Sequence, residues 1–381
     1  MRMLSILLLL VVVTQCSALQ VKVYPAEPLY VMVANPNRGY TDLVLHNIVM
    51  LNESTQAVSL TAGEIEVLEG DRVILSRFIS ADEIQKASAG LNDDRKQGFA
   101  VELDRDFPWK KILGEKITPA DGPNLGPQQA ALVQKIFLSV PGIPSAVRVR
   151  VTAKDANGKQ IETSTQLVVS RHQSTNKYHF PLQGVWFMRS VPNVTSHHRW
   201  HAQTEFAVDF WKLGENSLPW KTDASKPEDF YAFGAPVLAT ADGLVITAMG
   251  DRTQDYAFYA RRKDESDEQY GNRLEQHNLE QDKIDLHLGL GNYVVIQHDG
   301  GEYSYYCHLK TGSVKVKGGD HVTAGQQIAE VGDTGDTNLV HLHFQISDGP
   351  DAITARSVPF DLVDLRQTDV DLGRIVMPIK H

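Results

Sequence analysis

Val340-His341-Leu342-His343-Phe344 alternates apolar and imidazole side chains with a period of two. Successive side chains of an extended strand point to opposite faces. His341 and His343 therefore share one face, while Leu342 and Phe344 turn into a core. Two imidazoles side by side suit one metal ion plus one acid-base group. Taken alone, a pair of surface histidines on an edge strand gives the same pattern, so the pair needs partners elsewhere in the chain.

Two further stretches supply them. Glu205-Phe206-Ala207-Val208-Asp209-Phe210 also alternates, which predicts a strand with Phe206, Val208 and Phe210 on one face and Ala207 and Asp209 on the other. Asp209 is then a carboxylate held rigidly away from the apolar side. Just upstream stand His197, His198 and His201. The third stretch is Tyr306-Cys307-His308-Leu309. There His308 closes a strand running from Tyr303 to Cys307, on the face opposite Tyr305 and Cys307. A strand-end histidine that only hydrogen-bonds reads the same way.

Around these stretches the second half of the chain, from about Phe180, reads as successive antiparallel hairpins. Gly234 to Ala239 precedes the turn Asp242-Gly243 and then Leu244-Val245-Ile246; Gly291 to Ile296 precedes Asp299-Gly300-Gly301 and then Tyr303 to Cys307. A charged, Gln-rich stretch, residues 251–287, interrupts them and is expected to be a surface insertion, helical in part.

Residues 19–172 read as a separate β-rich region. The plainest pair is Ala146 to Val151 and Thr163 to Val169, joined through Asp155-Ala156-Asn157-Gly158, where Asn-Gly signals a hairpin. Val147, Val149 and Val151 alternate with Ala146, Arg148 and Arg150, as in a half-buried strand. Shorter apolar runs stand at Tyr30 to Val33, Leu43 to Leu45, Ala57 to Leu60 and Val73 to Leu75, while Ser80 to Ala87 and Pro127 to Lys135 look like short helices. The expectation is an immunoglobulin-like β-sandwich, serving as a binding or spacer domain. The polar, apolar-poor stretch Ser170 to Tyr178 is the expected linker to a second domain at 178–365.

Composition narrows the function. The formal net charge of -10 makes the chain a poor partner for nucleic acid or an anionic lipid surface. Arg2 followed by the apolar run Leu4 to Val13 has the form of a secretory leader, too short to span a bilayer. Cleavage is expected after Ala18, leaving a soluble exported protein, periplasmic or secreted. A lipoprotein site needs a small residue before Cys16, and Gln15 stands there. After such cleavage Cys307 is the one remaining cysteine, so the fold must rest on packed cores and any zinc ligands must be His, Asp or Glu.

Taken in order, Ser196-His197-His198-Arg199, Phe206 to Phe210, Gly234-Ala235-Pro236-Val237, Tyr306-Cys307-His308-Leu309, Gly319-Asp320-His321-Val322, Gly325-Gln326, Gly332-Asp333-Thr334-Gly335 and His341-Leu342-His343-Phe344 resemble the lysostaphin/LytM-type zinc endopeptidases over roughly residues 180–350. The resemblance implies a mainly β chain whose second domain is an antiparallel LytM-type peptidase domain. It implies zinc held by an upstream His, Asp209 and His343, with His341 and His308 as general base or transition-state stabilisers. In many members the upstream His lies four residues before the Asp; Glu205 stands there in this chain. In longer variants the His lies further back and precedes an Arg, which makes His198 the first choice and His201 the second. The implied reaction is hydrolysis of peptide bonds in bacterial peptidoglycan by a zinc-activated water. The alternative is a catalytically silent regulator or cell-wall binding module of the same fold. Gly318 to Gln326 also resembles the hairpin of biotinyl and lipoyl carriers, but the turn Gly332-Asp333-Thr334-Gly335 lacks their lysine. Ser196 beside His197 has no Gly-x-Ser-x-Gly elbow around it. Cys307 and His308, as consecutive strand residues, are expected to face apart.

Overall fold

The structure, a computed structural model, describes residues 19–378 except 27, 32–38, 190–195, 260, 338 and 371–372. The leader assigned to residues 1–18 and the Met32-Val33 end of the first apolar run lie outside the described residues. The first half contains strands β1 (Leu19–Tyr24), β2 (Leu29–Tyr30), β3 (Tyr40–Asn52), β4 (Val58–Glu69) and β5 (Arg72–Ser80), then helices α1 (Ala81–Gln97), α2 (Ala100–Asp106) and α3 (Trp109–Leu113). It continues with β6 (Thr118–Pro119), β7 (Asn124–Leu125), β8 (Gln129–Pro141), β9 (Ala146–Lys154) and β10 (Gln160–Ser170).

These strands form two sheets, ordered β1-β3-β8-β6 and β2-β10-β9-β4-β5, with β7 on β4. Leu43, Leu45 and Val133 from the first and Ile65, Val147, Val149 and Val151 from the second share one buried core, so the sheets pack face to face. On the other face of β9, Arg148 and Arg150 both reach Glu66 on β4, at 3.0 and 3.1 Å. The β9–β10 turn is built as its sequence suggests. The Asp155 carboxylate accepts from the backbone N–H of Asn157 and Lys159, and Gly158 takes a φ of 79°.

Two expectations for this half need correction. The helix expected over Ser80 to Ala87 runs to Gln97, started by a Ser80–Glu83 capping box and ended by Gly98 at φ 105°. Pro127 to Lys135 is not a helix but lies largely in β8, paired with β3 over most of its length. The reason is burial on both faces. Ala131 and Val133 face the sandwich core, and Ala130 and Leu132 face a second cluster with Phe107 and Trp109. A strand buried on both sides shows no alternation, and Gln-Gln-Ala-Ala-Leu then mimics a helix former.

The second half contains β11 (Trp186–Met188), β12 (Val208–Trp211), β13 (Pro236–Leu238), β14 (Gly243–Met249), α4 (Tyr256–Tyr259), α5 (Asp267–Ile284), β15 (Asn292–Gln297), β16 (Tyr303–Leu309), β17 (His321–Val322), β18 (Gln327–Glu330), β19 (Leu342–Ser347), β20 (Ser357–Val358), β21 (Leu365–Val370) and β22 (Gly373–Pro378). The long sheet runs β17-β14-β15-β16-β19-β12-β11-β22-β21, with β20 on β19. The expected β15–β16 hairpin forms, but β13 pairs with β18 rather than β14. The stretch 251–287 is helical in part, with α5 started by a Ser266–Gln269 capping box. The strand expected from Glu205 starts only at Val208, because the Glu205 side chain is buried against Arg199, 3.2 Å away, and belongs to the preceding loop.

The polar stretch Ser170 to Tyr178 is anchored to the second half. His172, Ser174, Asn176 and Tyr178 all donate to the Glu302 carboxylate, which is 6% exposed. Burial opposes the charge on Glu302, but these four donors outweigh it and hold its pKa at about 2.

Candidate metal centre

In the long sheet β19 lies between β16 and β12. The ladder sets Asp209 directly opposite His343, and directly opposed residues of an antiparallel pair share a face. Leu342 and Phe344 are fully buried in the core on the other side, with Phe210, Tyr306 and Val294. The alternation in Val340 to Phe344 is thus what aims both histidines away from that core.

Four imidazoles gather around Asp209. His198 Nε2 lies 3.0 Å from Oδ2, His343 Nδ1 3.2 Å from Oδ1, and His341 Nε2 3.5 Å from Oδ1. The His308 ring is 4.8 Å from that of His341 and 5.9 Å from that of His343, centre to centre. The His198 and His343 rings stand 4.8 Å apart. His197, adjacent to His198, also has a donor atom within 4.8 Å of those of His198 and Asp209. Sequence reasoning gave His197 no role; its position beside His198 was the available signal.

His308 reaches this face by a route that strict alternation does not provide. Cys307 sits opposite His343 in the ladder, so a regular strand would turn the next residue toward the core. Instead the β15–β16 register shifts between Asn292 and Val294, and His308 takes a left-handed backbone with φ 60°. A bulge of this kind re-aims one side chain at some cost in backbone strain, and both features concentrate at functional sites. Cys307 packs with Val295 and Tyr305, and burial pushes its thiol pKa up, so it is a buried apolar neighbour rather than a thiolate.

Hydrogen bonds fix which nitrogen of each ring is free. His343 Nε2 donates to Gln345 Oε1 at 3.0 Å, leaving Nδ1 toward Asp209. His341 Nδ1 donates to the Leu339 carbonyl and His308 Nδ1 to the Thr334 carbonyl, both at 2.8 Å, which leaves His308 Nε2 free and turns His341 Nε2 toward Asp209 Oδ1, 3.5 Å away. The Thr334 carbonyl is itself held, since Thr334 Oγ1 accepts from Asn292 N and donates to Leu309 O, each at 2.8 Å. Gly335 makes this packing possible: a Cβ there would meet the backbone nitrogen of Gly291 at 2.4 Å. Beyond Gly335 and Asp336 opens a cleft of about 320 Å³, bordered by Arg252, Gln254, Tyr259 and His277 of the 251–287 stretch. Gln345 was not singled out from sequence, and Thr334 stood there only within the motif Gly332-Asp333-Thr334-Gly335.

Electrostatics sorts the groups. Burial, joined by its neighbouring imidazoles, holds the His308 pKa well below the usual histidine value, and burial lowers His198 to about 4. Burial also opposes charge on His341, but the Asp209 carboxylate and the Leu339 carbonyl outweigh it and raise its pKa. Asp209 is buried too, yet the His198 and His341 imidazoles hold its carboxyl well below the usual range.

The donor set fits zinc. Tetrahedral zinc with bonds of about 2.1 Å separates neighbouring donors by roughly 3.4 Å, close to the 3.0 and 3.2 Å from Asp209 to His198 and His343, and the donors that all lie within 4.8 Å of one another are those of His197, His198 and Asp209. A carboxylate among neutral imidazoles, with no thiolate, is a zinc-type set. His201, the second choice for the upstream ligand, lies elsewhere, its Nδ1 hydrogen-bonded to Asp106. Glu205 is turned away as well, between Arg199 and His46.

Residues 226–355 match the model of Peptidase family M23, a span that includes His308, His341 and His343 and begins after Asp209. The murein hydrolase activator NlpD of Salmonella typhimurium is 24% identical over 243 residues, covering 60% of this chain and 51% of that protein. The peptidoglycan DD-endopeptidase ShyA of Vibrio cholerae is 42% identical over 60 residues, covering 16% of this chain and 14% of that protein. A zinc-containing peptidase from Vibrio cholerae, known as a crystal structure, is 13% identical with a TM-score of 0.26, covering 85% of this chain and 82% of that one. The chain thus spans about half of the first of these curated relatives and a smaller part of the second. Among the described residues, no helix is long and apolar enough to cross a membrane.

Proposed function

From the premise that residues 226–355 form an M23 domain of the lysostaphin/LytM type, we propose that the protein is an exported zinc-dependent endopeptidase that hydrolyses peptide bonds of bacterial peptidoglycan. The observation that carries this reading is the convergence around Asp209 of imidazoles from three separate stretches: His198, His308, and His341 with His343. In this reading residues 1–18 are the leader, 19–172 an accessory domain and 178–365 the peptidase domain.

His198, Asp209 and His343 would hold the metal, two neutral imidazoles and one carboxylate. When bound, zinc supplies a Lewis acid and makes hydroxide available near neutral pH. The chain's own residues manage the protons. His308, neutral with Nε2 free, accepts the proton of the attacking water. His341, its Nδ1 held by the Leu339 carbonyl, turns Nε2 toward the site and would hand a proton to the leaving amine. The carbonyls of Thr334 and Leu339 keep both rings oriented throughout. The substrate class is supported by the names of the relatives, a peptidoglycan endopeptidase and a murein hydrolase activator.

The test is muropeptide release from purified peptidoglycan by zinc-loaded protein and by His343→Ala. Loss of release in the variant is expected; unchanged release refutes the reading. A catalytically silent regulator is the second reading. It is favoured by the activator among the relatives and by Glu205 standing four residues before Asp209. Purified protein that neither binds zinc nor releases muropeptides after zinc addition would select it.

A further inference from the structure

The upstream histidine sits on a segment that does not belong to the sheet. Residues 197–200 form a single 3-10 turn, and β12 begins only at Val208. A ligand on such a turn is placed only as well as the turn is anchored. Part of the anchoring comes from the same half of the chain. Ser357 N donates to the Ala202 carbonyl at 3.0 Å, Gln345 Nε2 to the Gln203 carbonyl at 3.0 Å, and Phe206 N to Ser357 Oγ at 3.1 Å.

The remainder comes from the other half. Arg199, with no exposed surface, donates from Nη2 to the Asp42 carbonyl of β3 at 3.2 Å. Gln203 Nε2 donates to the Arg105 carbonyl of α2 at 2.7 Å. His201 Nδ1 donates to Asp106 Oδ1 at 2.5 Å, three residues beyond His198. The turn transmits this hold, because His201 N and Thr204 Oγ1 both donate to the His198 carbonyl, at 3.2 and 3.0 Å.

Asp106 is the centre of these contacts. Its side chain is 10% exposed, with Oδ1 on His201 and Oδ2 on Lys135 of β8 at 3.1 Å. It is also the last residue of α2. A carboxylate at a helix C-terminus opposes the helix dipole, so its local placement is unfavourable and its tertiary partners must justify it.

We propose that Asp106 is a positioning residue for the metal centre: through His201 it fixes the turn that carries His198, which makes the N-terminal sandwich part of the site rather than a spacer beside it. This rests on the reading of His198 as a zinc ligand.

The experiment is a zinc titration of the full chain against a fluorescent chelator, with muropeptide release measured in parallel. Asp106→Ala is expected to weaken zinc binding about tenfold, the lower end of the effect of losing an outer partner of a metal site. His201→Ala, which leaves the Asp106–Lys135 pair intact, is expected to do the same, and it carries the test should Asp106→Ala not fold. Asp106→Asn keeps an acceptor for His201 and is expected to restore most of the affinity. Lys135→Met removes the other partner and is expected to bind zinc as the wild type does. Wild-type affinity in both alanine variants overturns the proposal. So does a loss in Lys135→Met equal to that in Asp106→Ala, which marks a general loosening of the contact between the halves. A gain in release at unchanged zinc affinity also overturns it, since the N-terminal half would then be an obstruction. Wild-type protein that binds no zinc overturns the proposed function itself, a separate outcome from these.

Discussion

Glu302 offers a quantitative test of how the two halves are joined. Its carboxylate collects donors from His172, Ser174, Asn176 and Tyr178, and its pKa is held at about 2 against an ordinary 4.5. Holding the folded pKa at about 2 against an ordinary 4.5 corresponds to about 3–4 kcal/mol favouring the folded chain. Because the folded pKa is the lower one, this stabilisation is complete above about pH 4.5 and is lost as pH falls toward 2. Glu302→Gln should remove it, since an amide presents one oxygen and one NH2 to a site lined by donors. Urea unfolding followed by fluorescence at pH 7 and pH 3 provides the assay. The variant is expected to lose about 3–4 kcal/mol at pH 7 and distinctly less relative to wild type at pH 3. A variant as stable as wild type at pH 7, or one displaced equally at both pH values, would refute the reasoning.

The other predictions concern the site and its support. Gln345→Leu removes the acceptor that keeps the His343 proton on Nε2, so zinc affinity should fall about tenfold in a chelator titration. His308→Ala should leave zinc affinity unchanged while lowering kcat for muropeptide release by about 10²–10⁴; an equal loss of zinc would make His308 a ligand instead. Phe344→Ala should cost about 3–5 kcal/mol in urea unfolding, because the fully buried ring packs against Phe210, Tyr306 and Phe360.

What the sequence revealed follows the range of the interactions. Period two in Val340 to Phe344 suffices to send His341 and His343 to one face, because the alternation is a property of the strand itself. The same stretch held more than was read from it: Gln345 and Ser347 continue the polar face, and that continuation marked Gln345 as a neighbour of His343. The β9–β10 hairpin was legible because Asn157-Gly158 acts locally. Strand β8 was not, because burial on both faces removes the period that identifies a strand. The bulge at His308 was also hidden, since it depends on register with β15 rather than on its own neighbours. Asp106 and His201 are 95 residues apart, and no local pattern announces a hydrogen bond over that distance. The same limit separates His198 from His201 as upstream ligand: both are followed closely by the same strand, and only the fold sends one to Asp209 and the other to Asp106.

The proposed function requires one zinc ion shared by His198, Asp209 and His343. A crystal structure of the zinc-loaded protein, with the metal located from its anomalous signal, tests this directly. The expected result is a single ion about 2.0–2.2 Å from His198 Nε2, an Asp209 carboxylate oxygen and His343 Nδ1, with one position left to solvent. An ion that binds away from Asp209, or that takes His197 or His201 in place of His198, would contradict the account.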